Sequence, residues 1–207
     1  MAIAVLIIGK SGSGKSTSLR NFGEKELGLI NVIGKPLPFR KKFENVVISD
    51  KYEIIKKCLS KTEKKSIVID DAGYLITNTF MNNHSTAGKG NGVFTLYNDI
   101  GDQFWRLIKH IESLEPQKIV YLIMHEDKSD LGDVKPKTIG KMLDEKVCVE
   151  GMFSIVLRSM FYDGEYIFKT KTDGSDVTKT PLELFDKSCI PNDLKAIDTA
   201  IRGFYSI

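Results

Sequence analysis

The hydrophobic residues of this chain fall into short, uninterrupted runs separated by longer stretches of mixed polarity. Runs of this kind, bounded by Gly or by charged residues, are typical of β-strands that are buried on both faces of a sheet. The pattern predicts five such strands, at residues 3–8, 27–33, 46–49, 67–69 and 119–124.

Several of the stretches between these runs carry apolar residues at the spacing of an amphipathic helix. We expect Asp50 to cap the helix that follows the third strand. The buried face of that helix would carry Ile54, Ile55 and Leu59, and Trp105 would lie on the core-facing stripe of the longest helix. The predicted helices cover residues 16–22, 51–61, 94–114, 138–146 and 191–204, the last begun by Pro191 or capped by Asn192.

The last third of the chain has a different pattern. Residues 152–162 and 165–172 are apolar or alternating runs joined by Asp163-Gly164, which predicts a β-hairpin. Residues 81–92 are small, polar and rich in Gly, which predicts a mobile loop. Because strands and helices alternate as far as residue 125, we predict an α/β fold with a doubly wound, mostly parallel sheet. The C-terminal antiparallel hairpin would extend this sheet at one edge.

Composition excludes several classes of protein. The three cysteines, at positions 58, 148 and 189, lack the spacing and the His partners of a zinc site or a disulfide framework. The apolar N-terminus has no basic leader, and no apolar run approaches membrane-spanning length. We therefore expect a single domain over residues 1–207 in the cytoplasm. The net charge of +3 permits a local nucleic-acid surface without arguing for one.

The stretch after the first strand fits the phosphate-binding P-loop, or Walker A, pattern G-x-x-x-x-G-K-[ST] at every fixed position. Its glycines permit a backbone whose successive N–H groups cradle phosphate oxygens. Lys15 would reach the β- and γ-phosphates, and the Ser16 hydroxyl would bind Mg²⁺. The motif predicts binding of a nucleoside triphosphate by Gly9, Lys10, Ser11, Gly12, Ser13, Gly14, Lys15, Ser16 and Thr17.

An acidic partner for Mg²⁺ follows the fourth apolar run. Asp70 ends that strand in the manner of a Walker B motif, and we expect it to hold Mg²⁺ through water. Asp71 stands where many ATPases have the carboxylate that polarises the attacking water, although Asp is shorter than the usual Glu; a helix cap is the alternative. Asp50 and Glu44, near the third strand, are rival carboxylates.

Two further features have alternative interpretations. His125 ends the fifth strand, where ligands bind in parallel sheets. It would either sense the γ-phosphate and transmit its presence to the following loop, or be a satisfied strand-end residue. In the basic loop over residues 35–43, Phe39 and Phe43 would either pack into the core or stack on a single-stranded nucleic acid beside the lysines.

The remaining motifs narrow the choice of nucleotide and reaction. The guanine-recognition motif Asn-Lys-x-Asp is absent, which favours ATP, with Mg²⁺ as its cofactor. The loops after residues 80 and 125 contain no arginine. This weakens an assignment as a nucleoside or small-molecule kinase, because those enzymes usually close arginines over the phosphates. A nucleotide-dependent switch that binds a protein partner is a third hypothesis.

Motifs follow one another in a specific order along nearly the whole chain, at residues 9–17, 30–32, 35–39, 69–71, 125–126, 140–146, 179–181 and 190–194. In this order they resemble those of phage-encoded, RecA-like ATP-binding proteins related to single-strand annealing recombinases. The resemblance implies a RecA-type core in which the strand ending at His125 lies between the P-loop strand and the Asp70 strand. It also implies an ATPase that acts on single-stranded DNA in phage recombination or replication, in the host cytoplasm.

The resemblance further implies which parts of the chain meet other molecules. The loops over residues 77–93 and 126–137 would face DNA and offer lysines to its phosphates, namely Lys89, Lys128, Lys135 and Lys137, with Lys141 just beyond. In a homo-oligomer, Lys169 and Lys171 would complete the site of a neighbouring subunit in trans. The oligomerisation segment and the larger C-terminal domain of RecA are not found in this sequence. The sequence is therefore as compatible with a ring or a monomer as with a filament.

Overall fold

The structure, a computed structural model, describes residues 1–88, 90–129, 132–140 and 142–207. The strands are β1 (Ile3–Gly9), β2 (Leu27–Asn31), β3 (Asn45–Ile48), β4 (Ser66–Asp70), β5 (Ile119–Lys128), β6 (Val134–Pro136), β7 (Ile155–Tyr162), β8 (Glu165–Lys169) and β9 (Cys189–Pro191). The α-helices are α1 (Tyr52–Lys61), α2 (Gly73–Asn83), α3 (Asn91–Glu112) and α4 (Leu194–Tyr205). Short 3-10 helices cover Ser16–Asn21 and Val149–Met152, and a π-helix covers Met142–Val147.

Within the described ranges the strands form one sheet in the order β3-β2-β4-β5-β1-β7-β8-β9, and β6 pairs with β5. All neighbours from β3 to β7 are parallel, whereas β8 and β9 are added antiparallel. The strand that carries His125 lies between the P-loop strand and the Asp70 strand, as the resemblance implied. The predicted α/β fold, with a mostly parallel sheet and an antiparallel hairpin at one edge, is confirmed.

Both faces of the sheet are covered, and β1 shows why its sequence is an unbroken apolar run. Leu6 and Ile8 join the core cluster beneath α1, α2 and α3, whereas Val5 and Ile7 join the cluster beneath the first 3-10 helix and α4. All four side chains are fully buried. A strand covered on both sides has no solvent face, so a polar residue at any of these positions would lose its hydration.

The pairing register brings the ends of the central strands to one edge of the sheet. Gly9 at the end of β1 pairs with His125 of β5, and Asn31 at the end of β2 pairs with Asp70 of β4. Ligands of parallel α/β sheets bind at this carboxyl edge. The fold therefore collects the P-loop, the two aspartates and His125 in one region.

The predicted end of the fifth strand is wrong. β5 continues past His125 to Lys128, and β6 pairs with its last three residues in place of the expected loop over 126–137. Glu126 tolerates this half-buried position because Nε and Nη2 of Arg158 lie 2.8 and 2.9 Å from its two carboxylate oxygens. A polar sequence therefore forms a strand here because a distant residue neutralises it.

Helix boundaries also differ from the prediction. α2 extends to Asn83 and α3 begins at Asn91, so the loop expected over 81–92 is shorter than predicted at both ends. The aromatic rings of Phe80 in α2 and Tyr97 in α3 stack with centroids 5.8 Å apart, which ties the two helices together. Trp105 is 41% exposed and does not belong to the core stripe. The expected helix at 138–146 is the π-helix that begins at Met142.

The predicted cap and buried face of α1 need correction. Asp50 does not cap it; the Asp50 carboxylate accepts a hydrogen bond from the Asn78 side chain at 3.0 Å. Ile55 and Leu59 are buried as expected, but Ile54 is 49% exposed. One residue of the three was assigned to the wrong face because adjacent positions on a helix are about 100° apart.

The cap of α4 is also different from the prediction. Asp193 caps it, accepting hydrogen bonds from the backbone N–H groups of Lys195 and Ala196. Pro191 ends β9 and Asn192 lies in the turn between strand and helix, so neither begins the helix. Over the part of the chain that the structure describes, no helix is long and apolar enough to span a membrane.

Candidate functional site

Three positions of the P-loop require glycine: Gly9 and Gly14, which are fixed in the motif, and Gly12, which is not. Gly12 and Gly14 have positive φ values of 77° and 92°, which L side chains rarely adopt. A Cβ on Gly14 would lie 2.8 Å from the ring of Tyr166, and one on Gly9 would lie 2.6 Å from the carbonyl oxygen of Ser159. Larger residues at Gly9 or Gly14 would therefore push the loop away from β7 and β8.

The helix that follows the loop is a 3-10 helix over Ser16–Asn21 rather than the α-helix predicted for 16–22. Its own side chains bind its carbonyls: the Ser18 hydroxyl donates to the carbonyl of Lys15 at 2.6 Å. Likewise, Arg20 donates to the carbonyl of Thr17 at 3.1 Å. Such local bonds compete with the i to i−4 pattern and favour the tighter turn.

The ammonium group of Lys15 folds back onto its own loop. It donates hydrogen bonds to the carbonyl oxygens of Gly9 at 2.8 Å and Lys10 at 2.7 Å, and the residue is only 6% exposed. Burial lowers the pKa of Lys15 to about 8, while the charges of Asp71 and Asp70 oppose that shift. A phosphate oxygen would replace the two carbonyls as the acceptor and favour the charged form.

Ser16 and Asp70 form a pair of oxygen ligands suited to Mg²⁺. The Ser16 hydroxyl donates to Oδ1 of Asp70 at 3.0 Å, and Asp70 is 4% exposed. Burial and then the neighbouring charge of Asp71 raise the pKa of Asp70 to about 6. A buried carboxylate of this kind is stabilised by a cation. Among the described residues no group of three His, Cys, Asp or Glu side chains could hold a metal by itself, and Mg²⁺ commonly takes one or two protein ligands plus phosphates and water.

Asp71 is held in an unusual conformation between the ammonium of Lys35 and the imidazole of His125. It is 3% exposed, and its backbone has a φ of 58°, in the left-handed region. Its Oδ2 lies 2.7 Å from the ammonium of Lys35, and its Oδ1 lies 3.6 Å from Nε2 of His125. Backbone strain at a non-Gly residue persists only where the surroundings fix it. The geometry keeps this carboxylate at the strand tip and pointed at the cavity that the P-loop also lines.

His125 bridges the two halves of the site. Its ring contacts Tyr74 edge-on, with centroids 6.0 Å apart, and faces Asp71 on the other side. Burial and then the charge of Lys15 lower the pKa of His125, and the charge of Asp71 opposes this without reversing it. The imidazole is therefore neutral at neutral pH. It can donate one hydrogen bond and accept another at the same time.

Lys35 is the site residue that sequence reasoning missed. In the sequence it belongs to a basic loop and to one motif of the resemblance, without a role of its own, yet its ammonium contacts the candidate general base. Burial disfavours the charged form, but the hydrogen bond and charge of Asp71 outweigh it, so the pKa of Lys35 is raised. The available signal was positional. Lys35 follows the second predicted strand, and Gly34 and Pro36 mark a turn there. In the structure this strand, β2, pairs with the Asp70 strand.

These residues line two adjoining cavities. The first, of about 330 Å³, is formed by Ser11, Gly12, Gly14, Lys15, Ser16, Thr17, Lys35, Pro36, Pro38, Asp70, Asp71, His125 and Tyr166. The second, of about 610 Å³, shares Ser11, Lys35 and His125 with the first and adds residues such as Lys137. Both volumes fall within the range of roughly 300–1,000 Å³ that is usual for ligand sites. Lys35 and His125 therefore stand on the boundary between two compartments.

Other predicted candidates lie elsewhere. Asp50 and Glu44 do not line the first cavity, and Glu44 pairs with Lys25 at 3.5 Å on the surface. In the loop over residues 35–43, the packing supports the interpretation that Phe39 and Phe43 belong to the core. Phe43 is 6% exposed, and Phe39 is partly buried against the same cluster.

The lysines that were predicted to contact DNA or a neighbouring subunit differ in their exposure and in their contacts. Lys128 and Lys137 are exposed on the β5–β6 hairpin and just beyond it, and Lys135 is partly buried there. Lys89 and Lys141 lie outside the described residues, and much of the expected DNA-facing loop over 77–93 is helical. The ammonium of Lys169 lies 2.8 and 2.9 Å from the carboxylates of Asp176 and Asp173 of its own chain. Lys171 donates to the carbonyl of Asp186, and the role of Lys169 and Lys171 in trans stays a prediction.

Comparison with known proteins agrees with this geometry. A family model described as an AAA domain matches residues 1–182, which is most of the chain and includes both aspartates, His125 and the P-loop. A comparison with curated proteins finds no match. AAA domains bind and hydrolyse nucleotides, so the coarse activity follows from the family. The chain belongs to the AAA domain family and is a P-loop ATPase of the AAA type.

Proposed function

We propose that this chain is an ATP-hydrolysing, RecA-like protein that acts on single-stranded DNA in phage recombination or replication, in the cytoplasm of the host cell. Its family supports the ATPase part of this proposal. The order of sequence motifs supports the DNA part. A homo-oligomer in which Lys169 and Lys171 reach a neighbouring site belongs to the same proposal.

The proposed reaction is attack of water on the γ-phosphorus of ATP. The bond from that phosphorus to the bridging oxygen breaks, and the oxygen leaves with its electron pair as part of ADP. Asp71 orients the water, accepts its proton and releases it to solvent. Lys15 leaves the carbonyls of Gly9 and Lys10 and binds the phosphates. Mg²⁺, held by Ser16 and through water by Asp70, would neutralise charge on the β- and γ-phosphate oxygens.

One contact carries the proposed coupling between nucleotide and DNA. The backbone N–H of Lys137 donates to the carbonyl oxygen of His125 at 2.8 Å. The imidazole of His125 borders the first cavity, and exposed Lys128 lies on the same hairpin. A shift of His125 toward a γ-phosphate would therefore move the hairpin that presents lysines to solvent. Lysine contacts of this kind are independent of DNA sequence and weaken with salt.

The test is the rate of ATP hydrolysis with and without single-stranded DNA, for the native chain and for Lys15→Ala. We expect DNA to stimulate the native chain and the variant to be inactive under both conditions. If DNA neither stimulates hydrolysis nor binds in the presence of ATP and Mg²⁺, the DNA part of the proposal is wrong. Tight ATP binding with negligible turnover, unchanged by DNA, would indicate a switch that acts through a protein partner.

A phosphotransferase is the second candidate, and the 610 Å³ cavity is the observation that favours it. That cavity adjoins the first at Lys35 and His125 and has room for an acceptor molecule. In this case labelled γ-phosphate would move from ATP to an added nucleoside or metabolite. Label recovered only as inorganic phosphate would exclude the acceptors tested and support hydrolysis.

A further inference from the structure

The ion pair between Lys35 and Asp71 joins two residues of very different exposure. The side chain of Lys35 is 50% exposed, whereas that of Asp71 is 3% exposed, and the ammonium and carboxylate oxygen are 2.7 Å apart. The carboxylate therefore depends on the lysine more than the lysine depends on the carboxylate, because only the lysine has water as an alternative partner.

The backbone beneath Lys35 is fixed while its side chain is not. The side chain of buried Asn31 donates to the carbonyl of Lys35 at 2.8 Å and accepts from the N–H of Gly34 at 2.9 Å. Gly34, just before Lys35, has a φ of 70°. Pro36, just after it, has its own φ fixed by its ring. The turn thus anchors the Cα of Lys35 at the cavity edge. Its four-carbon stem leaves the ammonium free to exchange one anion for another.

The first cavity offers few other positive charges. Lys15 and Lys35 are the cationic side chains among the described residues that line it. The nearby arginines are engaged elsewhere: Arg20 binds the carbonyl of Asn192, and Arg158 binds Glu126. A γ-phosphate in hydrolysis carries more negative charge than Lys15 and one Mg²⁺ can offset alone, and ATPases supply a further cation at this point.

We propose that Lys35 is a catalytic residue that acts within its own subunit. When ATP enters, its ammonium moves from Oδ2 of Asp71 to a γ-phosphate oxygen. The same movement releases the Asp71 carboxylate to accept the proton of the attacking water. One lysine therefore restrains the base while the site is empty and stabilises the transferring phosphate when the site is filled. This inference rests on the proposed hydrolysis.

The decisive variants are Lys35→Met, Lys35→Gln and Lys35→Arg, with Lys57→Met as the matched control on the exposed surface of α1. Removing one charged donor to the transferring phosphate lowers kcat by about 100-fold or more. We expect this loss for Met and Gln, partial recovery for Arg, and no change for the control. Gln can still donate to Asp71, so normal kcat in Lys35→Gln would show that holding the aspartate is the whole role and would overturn the inference.

Binding measurements separate this inference from the proposed hydrolysis. Lys35→Met should raise the Kd for ATP and leave the Kd for ADP unchanged. ADP lacks the phosphate that Lys35 is proposed to contact. Equal loss for both nucleotides, or none for either, would contradict it. If the native chain binds ATP but hydrolyses none, the hydrolysis proposal fails while this comparison still tests Lys35.

A mixing experiment tests whether Lys35 acts within its own subunit. Lys15→Ala and Lys35→Met are combined in equal amounts at fixed total concentration. A lysine that acts in cis leaves the mixture no more active than the sum of its parts. Recovery of activity in mixed assemblies would show that Lys35 serves a neighbouring subunit and would overturn the assignment.

Discussion

At the scale of single residues, the adjacent carboxylates Asp70 and Asp71 have contrasting surroundings. Both are almost fully buried, but Asp71 has the ammonium of Lys35 at 2.7 Å. Among the described residues, Asp70 accepts hydrogen bonds from the Ser16 hydroxyl and from a backbone N–H, and it forms no ion pair. Burial without a cation disfavours the charged form, which is why the pKa of Asp70 rises to about 6. Asp70 is therefore a buried carboxylate whose charge its hydrogen-bond partners and the charge of Lys35 do not fully offset.

Asp70→Asn should stabilise the nucleotide-free protein and abolish its ATPase activity. The pKa of Asp70 is higher in the folded state than in the unfolded chain, so its ionisation opposes folding as the pH rises from about 4 to above 6. We expect the variant to gain about 2 kcal/mol in the free energy of unfolding at neutral pH. Urea denaturation without Mg²⁺ or ATP measures this gain.

The pH series supplies the control for Asp70→Asn. The gain should shrink as the pH falls toward 4, because the native Asp70 is then protonated and nearly equivalent to Asn. Mg²⁺ with ATP should stabilise the native chain but not the variant. A variant less stable than the native chain at neutral pH would show that Asp70 does not carry an uncompensated charge.

ATP binding should weaken as the pH rises above about 8. Burial holds the pKa of Lys15 near that value in the empty site, and a bound triphosphate favours the charged lysine. Above pH 8 the neutral amine of Lys15 must take up a proton when ATP binds. The Kd for ATP should therefore increase by up to about tenfold per pH unit. Calorimetric titrations in two buffers of different ionisation enthalpy would detect this proton uptake. A Kd that is constant from pH 7 to 9 would contradict it.

At the scale of secondary-structure elements, the β5–β6 hairpin is joined to β7 by a network of buried charges. Arg158 of β7 binds Glu126 of β5 through two hydrogen bonds and lies 3.4 Å from Asp176, which also binds Lys169. Two cations alternate with three anions, because Lys169 also pairs with exposed Asp173 at 2.9 Å. The network ties the segment after His125 to β7. The proposed coupling would use this connection to carry a movement of His125 to the hairpin.

Arg158→Ala should destabilise the fold by about 3 kcal/mol or more, since it leaves Glu126 without its partner in a buried position. The matched control is Arg106→Ala, because Arg106 forms an ion pair with Asp102 on the exposed face of α3. Removing that exposed pair should cost less than about 0.5 kcal/mol. Urea unfolding of both variants makes the comparison. Equal small losses would show that the Glu126 contact adds no net stability.

The central strands of the sheet could be predicted from sequence because a strand buried on both faces must be an apolar run. The same logic missed β6 and β9, which are three-residue strands and too short to form an apolar run. β6 pairs with the polar end of β5, and β9 pairs with β8 across a long connection. Caps were missed for a similar reason. Asp50 and Asn192 are good capping residues, but Asn78 and Arg20 bind them instead, and neither partner is visible in the local pattern.

The candidate site was predictable where its residues belong to a spaced motif. Ser16 and Asp70 were predicted as a metal-binding pair, and their side chains meet at 3.0 Å. Lys35 was not identified, because its importance lies in a contact with Asp71 across the edge of the sheet rather than in any spacing along the chain. Side-chain contacts between different loops are the information that the pattern of residues lacks.

At the scale of the whole molecule, the exposed lysines of the hairpin lie beyond the nucleotide site rather than within it. Lys137 is exposed at the end of the hairpin next to His125, and Lys128 is exposed at the opposite end, near the turn. The overall charge of +3 is small, so any attraction to DNA must come from local groups such as these. The surface beyond the carboxyl edge of the sheet is where we expect a polyanion to bind.

The double variant Lys128→Ala/Lys137→Ala should bind single-stranded DNA more weakly and with a smaller salt dependence. Each lost phosphate contact lowers the slope of log affinity against log salt by about 0.7 for a single strand. Fluorescence anisotropy of a labelled oligonucleotide over a series of salt concentrations measures both quantities. The control is Lys57→Ala on α1. An unchanged slope in the double variant would remove this hairpin from the DNA-binding surface.

The central position of β1 has a consequence for synthesis of the chain. β1 precedes both of its partner strands in the chain, because Ile3 pairs with Ile119 and Val5 pairs with Ile155. Its apolar residues therefore have no partner strand until more than 100 further residues have been translated. Contacts so distant in sequence slow folding and expose the nascent segment to aggregation. The P-loop is thus translated well before the strands that complete its environment.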